Sequence, residues 1–182
     1  MKTMKSLLAA ALVTAAFSAS AGYQYSDVGP YVSIDAGISS QSGVDVATSE
    51  QGATGVTLGY NIDRQMGVEL TAMDLGKRTD SAYGVGTVSW SSKATSISAV
   101  ARAELLNNVE FSAKLGLANT RLNATNGSQS GSLSATGLVV GVGADYRFDR
   151  HWSVKANLDV YPSFAGSSDP MGVVSVGLKY RF

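Results

Sequence analysis

Residues 172–182 read Gly-Val-Val-Ser-Val-Gly-Leu-Lys-Tyr-Arg-Phe, and every second position from Val174 to Phe182 is apolar or aromatic. The intervening positions hold Ser, Gly, Lys and Arg, which are small or polar. Successive side chains of a β-strand point to opposite faces, so this alternation predicts a strand with one apolar face. The segment decides the fold class because the same pattern recurs through most of the chain.

The alternation occurs in eight segments altogether, which we predict to be eight strands. They are Tyr31–Ile38, Thr54–Ile62, Met66–Leu75, Thr95–Leu105, Val109–Ala118, Thr136–Phe148, Trp152–Tyr161 and Gly172–Phe182. The face opposite the apolar one carries glycines and charges, for example Glu110, Ser112 and Lys114 in the fifth segment. The chain is therefore predicted to be all-β.

The predicted connections alternate between short and long. Tight turns are expected at 61–65, 106–108 and 149–151, and long loops rich in Ser, Gly, Thr and Asn at 39–53, 76–94, 119–135 and 162–171. Short turns at one end and long loops at the other are typical of transmembrane barrels, whose turns are periplasmic and whose loops are external. Strands of about ten residues also suit a tilted crossing of the hydrocarbon layer.

A soluble β-sandwich or barrel would show the same alternation, because a soluble sheet also has one apolar face. Three features favour the membrane: the charges and glycines of the polar face, the rhythm of the connections, and aromatic residues near the turn ends. Those aromatic residues are Tyr60, Tyr146, Phe148, Trp152, Tyr180 and Phe182. An unpaired strand edge cannot bond to water in hydrocarbon, so the sheet must close. We predict an eight-stranded antiparallel up-and-down transmembrane β-barrel, with an interior that side chains fill.

The first residues are typical of a targeting segment. Lys2 and Lys5 precede an apolar run over 7–17, and Ala19-Ser-Ala21 matches a cleavage site. The run is too short to cross a bilayer as a helix, which disfavours the alternative of an uncleaved anchor. We predict a cleaved signal peptide over residues 1–21 and a mature barrel over 22–182 in the outer membrane.

Composition excludes several classes of function. The 182 residues include 14 basic and 14 acidic side chains, so there is no basic excess that would indicate nucleic-acid binding. With no cysteine and one histidine, neither a disulfide framework nor a metal site is expected, and no cofactor is predicted.

The chain resembles the transmembrane domain of the OmpA family. Three stretches carry the resemblance, namely Leu58–Leu70 with its continuation to Lys77, Val109–Gly116, and Val142–Phe148 together with the ending Val176–Phe182. The similarity covers nearly all of the predicted mature chain. The peptidoglycan-binding domain that often follows in this family is not expected, because the sequence ends at the last predicted strand, and cell-wall anchoring is not carried over.

The resemblance implies a network of charges inside the barrel. The matching positions are Glu69, Lys114, Asp145 and Lys155. The fourth-strand lysine of the family is replaced by Val100, and Arg102 stands two residues further on the same face, so the family's gating switch is not carried over. Phe182 resembles the C-terminal signal that the barrel assembly machinery recognises.

The strand pattern places twelve charges inward: Asp35, Glu69, Glu104, Glu110, Asp145, Asp159, Arg102, Lys114, Arg147, Lys155, Lys179 and Arg181. The six acids balance the six bases, which favours mutual pairing because isolated buried charges are costly. The main prediction is a structural or surface-interaction barrel with a filled interior. The alternative is a small gated, porin-like pore.

A lipid A-modifying enzyme is the least supported hypothesis. Such barrels use a histidine with a serine and a carboxylate, and acyl transfer needs a base beside the nucleophile. The single histidine, His151, lies in a predicted periplasmic turn, away from the outer leaflet. No catalytic residues are predicted. The expected partners are outer-membrane lipids, lipopolysaccharide and the assembly machinery, and the protein is expected to be a monomer.

Overall fold

The computed structural model describes residues 28–40, 51–82, 86–106, 108–126, 129–162 and 170–182. The eight strands are β1 (Gly29–Ser40), β2 (Gln51–Asn61), β3 (Met66–Ala82), β4 (Gly86–Leu106), β5 (Val109–Asn126), β6 (Gln129–Arg147), β7 (Trp152–Tyr161) and β8 (Met171–Arg181). The predicted signal peptide lies outside the described residues. Within them, no helix is long and apolar enough to cross a membrane.

The strands form a closed antiparallel barrel in chain order. Closure is made by β1 and β8, which pair from Tyr31 opposite Arg181 to Ser40 opposite Gly172. The predicted fold class is therefore confirmed. Because every strand has two neighbours around the barrel, the backbone groups within the ring are satisfied without water, as a hydrocarbon environment requires.

The three short connections lie at one end of the barrel, the turn end. In the β2–β3 turn the Asp63 carboxylate accepts hydrogen bonds from the backbone N–H of Gln65 at 2.7 Å and of Met66 at 2.6 Å. Asn108 takes a positive φ of 68° between β4 and β5, a conformation that asparagine tolerates better than most residues. The side-chain-to-backbone hydrogen bonds of Asp63 and the positive φ of Asn108 are features typical of tight turns.

The outer wall is apolar, as the alternation predicts. Its large side chains include Ile34, Ile97 and Leu138, with 61%, 60% and 64% of their surface exposed. In a soluble protein such a continuous apolar band would be unusual, whereas a transmembrane barrel turns it toward lipid. Near the turn end the rings of Trp152, Tyr180 and Phe182 pack edge to face, with centroid separations of 4.8 Å and 5.0 Å.

Two predicted loops are wrong. Residues 76–94 and 119–135 lie mainly in strands, because β3 and β4 pair as far as Ala82 opposite Gly86, and β5 and β6 as far as Asn126 opposite Gln129. These segments consist mainly of Ser, Thr, Asn and Gly with scattered apolar residues such as Val88, Trp90 and Leu122, so they lack the sustained alternation that identifies a half-buried strand. Most of the other two predicted loops, 39–53 and 162–171, lies outside the described residues.

The β3–β6 strands therefore extend well beyond the described ladders that β2 and β7 form with them. The β2–β3 ladder ends at Thr54 opposite Asp74, and the β6–β7 ladder ends at Val140 opposite Val160. Beyond those pairs β3 continues to residue 82, and β6 begins as early as residue 129. At about 3.3 Å per residue this gives a projecting four-stranded sheet roughly 25–35 Å long. A β-bulge at Gly76, where φ is +96°, marks the point where β3 leaves β2.

Candidate functional site: the barrel interior

The five residues proposed for an interior network, Glu69, Arg102, Lys114, Asp145 and Lys155, all point into the barrel. Their side chains are at most 11% exposed. Alternation alone places them there, because each lies on the face opposite the lipid-facing row of its strand. They belong to two groups of charges that differ in height, one at the turn end and one in the middle of the barrel.

Glu110 is the centre of the turn-end cluster. Its carboxylate lies 3.2 Å from Arg181 Nη2, 3.4 Å from Arg102 Nε, 3.4 Å from Arg147 Nη2 and 3.9 Å from Lys179 Nζ. These contacts join β5 to β4, β6 and β8. One carboxylate thus connects cations from three other strands across the interior.

Asp145 supplies the second carboxylate of the turn-end cluster. It pairs with Lys179, and its Oδ2 lies 4.0 Å from Arg181 Nη2. Lys179 is 3% exposed, so its charge is stabilised by these partners rather than by water.

Tyr31 connects the turn-end cluster to Glu69. Its hydroxyl donates to Glu69 Oε1 at 2.6 Å and accepts from Arg102 Nη2, also at 2.6 Å. Its ring centroid lies 4.8 Å from Lys179 Nζ and 5.3 Å from the Arg102 guanidinium carbon, within the range of cation–π contacts. The sequence-based reasoning did not single out Tyr31, although it shares its strand face with Asp35 and that position was the available signal.

The middle cluster consists of two buried ion pairs and Glu69. Lys114 Nζ lies 2.9 Å from Asp159 Oδ1 and 3.9 Å from Glu69 Oε2. Lys155 Nζ lies 3.2 Å from Asp35 Oδ1. Both pairs join strands that are not neighbours, β5 to β7 and β7 to β1, so each ion pair spans one intervening strand.

An apolar layer lies above the middle cluster, at the loop end of the interior. Leu75 and Val173 have no exposed surface, and Tyr161 is 2% exposed. The other members are Ala53, Met73, Ala94, Ala118, Val139 and Met171. These residues sit on the faces that carry charges and small residues further down, so the alternation pattern did not reveal them as a group. The interior is thus charged at the turn end and in the middle of the barrel, and apolar at the loop end.

One of the twelve charges predicted inward is not buried. Glu104 lies on the predicted face, directly opposite Glu110 in the β4–β5 ladder, but its side chain is exposed. The ladder is irregular between Glu104 and Leu106, beside the turn, and there the side chain reaches solvent at the mouth of the barrel. Of the charges predicted inward, the remaining six bases and five acids are buried or half-buried.

The described residues offer no group that could hold a metal ion. His151 is exposed in the β6–β7 turn, and its ring stacks on Tyr180 with the centroids 5.7 Å apart. The histidine therefore packs against an aromatic residue at the turn end.

A family model described as the outer membrane protein beta-barrel domain matches residues 9–182. The chain belongs to this family. As an outer membrane protein beta-barrel domain, it is a protein of the outer membrane, as predicted. A search of curated protein sequences finds no match.

Solved structures of outer membrane barrels share the fold. Neisserial surface protein A (NspA) is 16% identical, with a TM-score of 0.67 over 84% of this chain and 97% of the other. The N-terminal barrel of Pseudomonas aeruginosa OprF is 19% identical, with a TM-score of 0.58 over 84% and 97%. The attachment invasion locus protein Ail of Yersinia pestis is 16% identical, with a TM-score of 0.59 over 84% and 96%. The expected likeness to OmpA-type barrels is confirmed at the level of family and fold.

Proposed function

We propose that this outer membrane protein is a non-conducting barrel that presents the projecting sheet of β3–β6 as a surface for interaction outside the cell. The observation that carries the proposal is the length of these strands beyond the ring. Bacterial barrels have short periplasmic turns, so the projecting end is the external one.

The exposure of β6 supports an interaction role for this sheet. Residues 131–134 are all exposed, so both faces of the strand are in contact with solvent. Leu133 is 53% exposed there. A free strand edge offers unpaired N–H and C=O groups to an extended partner, and before Val140 the described residues give β6 no ladder partner on the β7 side, where Pro162 lies beside Gly137. Residues 129–139 carry no charge or proline that would protect this edge.

The interior supports the non-conducting part of the proposal. Water and ions would have to pass an apolar layer that contains Leu75 and Val173, both without exposed surface. Below it, the cations are paired with carboxylates rather than arranged along an open path. The porin-like alternative has no comparable supporting observation, and neither has catalysis, since His151 lies at the turn end against Tyr180.

One barrel of the same fold has a name that fits this role. Ail of Yersinia pestis is an attachment invasion locus protein, and its structure contains the heparin analogue sucrose octasulfate. An attachment role for the present chain is a proposal that rests on its own projecting sheet.

The test compares adhesion of cells that carry equal amounts of three proteins: the full chain, a variant with residues 123–132 replaced by a tight turn, and a matched variant with residues 78–90 so replaced. Both cuts join strands at a paired position, Leu122 opposite Leu133 and Lys77 opposite Ser91, so the ring is preserved. We expect binding to immobilised matrix, glycan or cell surfaces above the empty-vector level for the full chain, and its loss in the β5–β6 variant. Adhesion of the full chain no higher than that of the vector control would overturn the proposal.

A further inference from the structure

Two cations lie side by side on the outer wall just above the lipid-facing band. Lys93 on β4 and Arg121 on β5 are direct partners in the ladder, and both are exposed. Like charges directly opposite each other destabilise a sheet. Among the described residues, no ion pair is formed by either side chain. The pair is therefore costly in the protein alone and would be stabilised by an anion.

The position of the pair relative to the membrane follows from the strand register. The outward row Leu70, Ile97, Leu117 and Leu138 is apolar, and the next row toward the loop end is Ala72, Thr95, Asn119 and Thr136. Lys93 and Arg121 belong to the row after that. Four residues of a strand tilted by roughly 40° rise about 10 Å. The cations thus stand above the last apolar row, at the level of lipid headgroups.

The neighbourhood of the pair is positively charged overall. Lys77, exposed on β3, lies one row further out, opposite Ser91. The nearby carboxylate is Asp74, opposite Lys93 in the ladder, and its Oδ1 accepts a hydrogen bond from the Gly76 N–H at 3.0 Å. Among the described side chains, three cations and one partly engaged carboxylate leave an excess of positive charge here.

A groove descends from Lys93 into the apolar band. It has a volume of about 350 Å³, and its outward-facing walls are Thr54, Val56, Ala72 and Thr95. A second groove of about 250 Å³ continues it along the same strands, between Leu58, Leu70 and Ile97. The small side chain of Ala72 lies between Val56 and Thr95 in the ladders and makes the groove concave. Such a shape suits one acyl chain.

We propose that this outer-wall site binds a lipid A molecule of lipopolysaccharide, with a phosphate between Lys93 and Arg121 and one acyl chain in the groove. Cations at headgroup level recognise lipid phosphates. The apolar groove beside them favours a lipid over a soluble polyanion, and the loop end of the barrel faces the outer leaflet. The site lies at the base of the projecting sheet, where Arg121 pairs with Ser134, but lipid binding there is a separate property from adhesion and from conduction.

The test is native mass spectrometry of the full protein from phosphatidylcholine nanodiscs that contain bisphosphorylated lipid A or, at equal charge, phosphatidylglycerol. We expect lipid A to be retained by the unaltered protein and about thirty-fold more weakly by K93A/R121A, since each cation at an anionic surface contributes about five-fold. K93R/R121K should retain it. R64A/R150A is the matched control, because it removes two exposed cations from the turn end.

A second variant tests the groove without a change of charge. Ala72→Leu fills the concave surface and should weaken lipid A retention, whereas Ala113→Leu, on the outward face of β5, should not. Heat-modifiable migration on gels establishes that each variant is folded. Undiminished retention in K93A/R121A overturns the proposal, and so does equal retention of phosphatidylglycerol or equal binding of soluble sucrose octasulfate.

Discussion

The phenol ring of Tyr31 covers Gly59, its direct partner across β1 and β2: a Cβ atom added at Gly59 would meet the ring carbons. The glycine thus leaves the space in which Tyr31 lies flat enough to reach both Glu69 and Arg102 with its hydroxyl. An aromatic side chain over a glycine on the neighbouring strand also covers backbone that would otherwise be bare.

We expect Gly59→Ala to lower the free energy of unfolding by about 1–3 kcal/mol, because the added methyl group overpacks the space under the ring. Urea unfolding in detergent micelles measures it. Gly52→Ala is the control in the same strand, since a Cβ there meets nothing within 4 Å. Equal stability of the two variants would contradict the role given to Gly59.

Glu110→Gln should be strongly destabilising. The substitution removes the carboxylate nearest to Arg102, Arg181 and other cations of the turn-end cluster, and breaking a buried pair typically costs about 3–5 kcal/mol. The matched control is Glu104→Gln, the exposed residue directly opposite in the ladder, which should change stability by about 0.5 kcal/mol or less. If both variants lost equal stability, the cluster would not depend on Glu110.

Lys155 and Asp35 should show energetic coupling in a double-mutant cycle. Their 3.2 Å contact crosses the interior, and both side chains are nearly buried, at 5% and 2% exposed. We expect Lys155→Met and Asp35→Asn each to destabilise the barrel, and the double variant to lose at least about 0.5 kcal/mol less than the sum of the two. Strict additivity in equilibrium unfolding would show that the two groups act independently.

Phe182→Ala should lower the amount of barrel assembled in cells more than it affects folding in detergent. Phe182 packs edge to face on Tyr180 at the turn end, so a modest loss of stability is expected in both settings. Recognition by the assembly machinery would add a loss that is seen only in cells. Phe148→Ala, at a turn-end aromatic that is 55% exposed, is the control. An equal cellular loss for both variants would argue against a special role of the C-terminal residue.

The sequence was sufficient to predict the eight membrane-spanning strands but not how far β3–β6 extend beyond the membrane. Alternation identifies a strand when one face is apolar, and β7 was predicted with its observed bounds, Trp152–Tyr161. Beyond the membrane both faces are wet, so residues such as Ser132 and Ser134 pair in β6 without a periodic signal. Strand pairing there depends on the neighbouring strand, and the local sequence pattern carries no information about that neighbour.

The sequence predicted which charged side chains point into the barrel, but not which of them pair with each other. Parity along each strand places Lys114 and Asp159 inside, whereas their 2.9 Å contact depends on how the barrel closes. Glu104 shows that parity gives the face but not the burial, because this carboxylate, opposite Glu110 and beside the turn, is exposed. The apolar layer was not predicted because each contributing strand supplies only one or two of its members, such as Leu75 and Val173, on faces that are otherwise polar or small.

Leu75→Ala should destabilise the barrel by about 2–5 kcal/mol, because Leu75 has no exposed surface and the truncation leaves a cavity in the apolar layer. Leu70→Ala on the same strand is the control, since Leu70 is 47% exposed on the lipid-facing wall and should cost less. The measurement is urea unfolding of both variants in the same micelles. An equal cost would mean that the layer is not closely packed.

Planar-bilayer recording of the folded protein tests the central claim most directly, namely that the apolar layer above the paired charges closes the barrel. We expect no current steps from the unaltered protein, and steps from L75S/V173S, in which two fully buried members of the layer become small and polar. Steady conductance of the unaltered protein, altered by Glu69→Gln or Arg102→Ala, would contradict the claim and make the protein a pore.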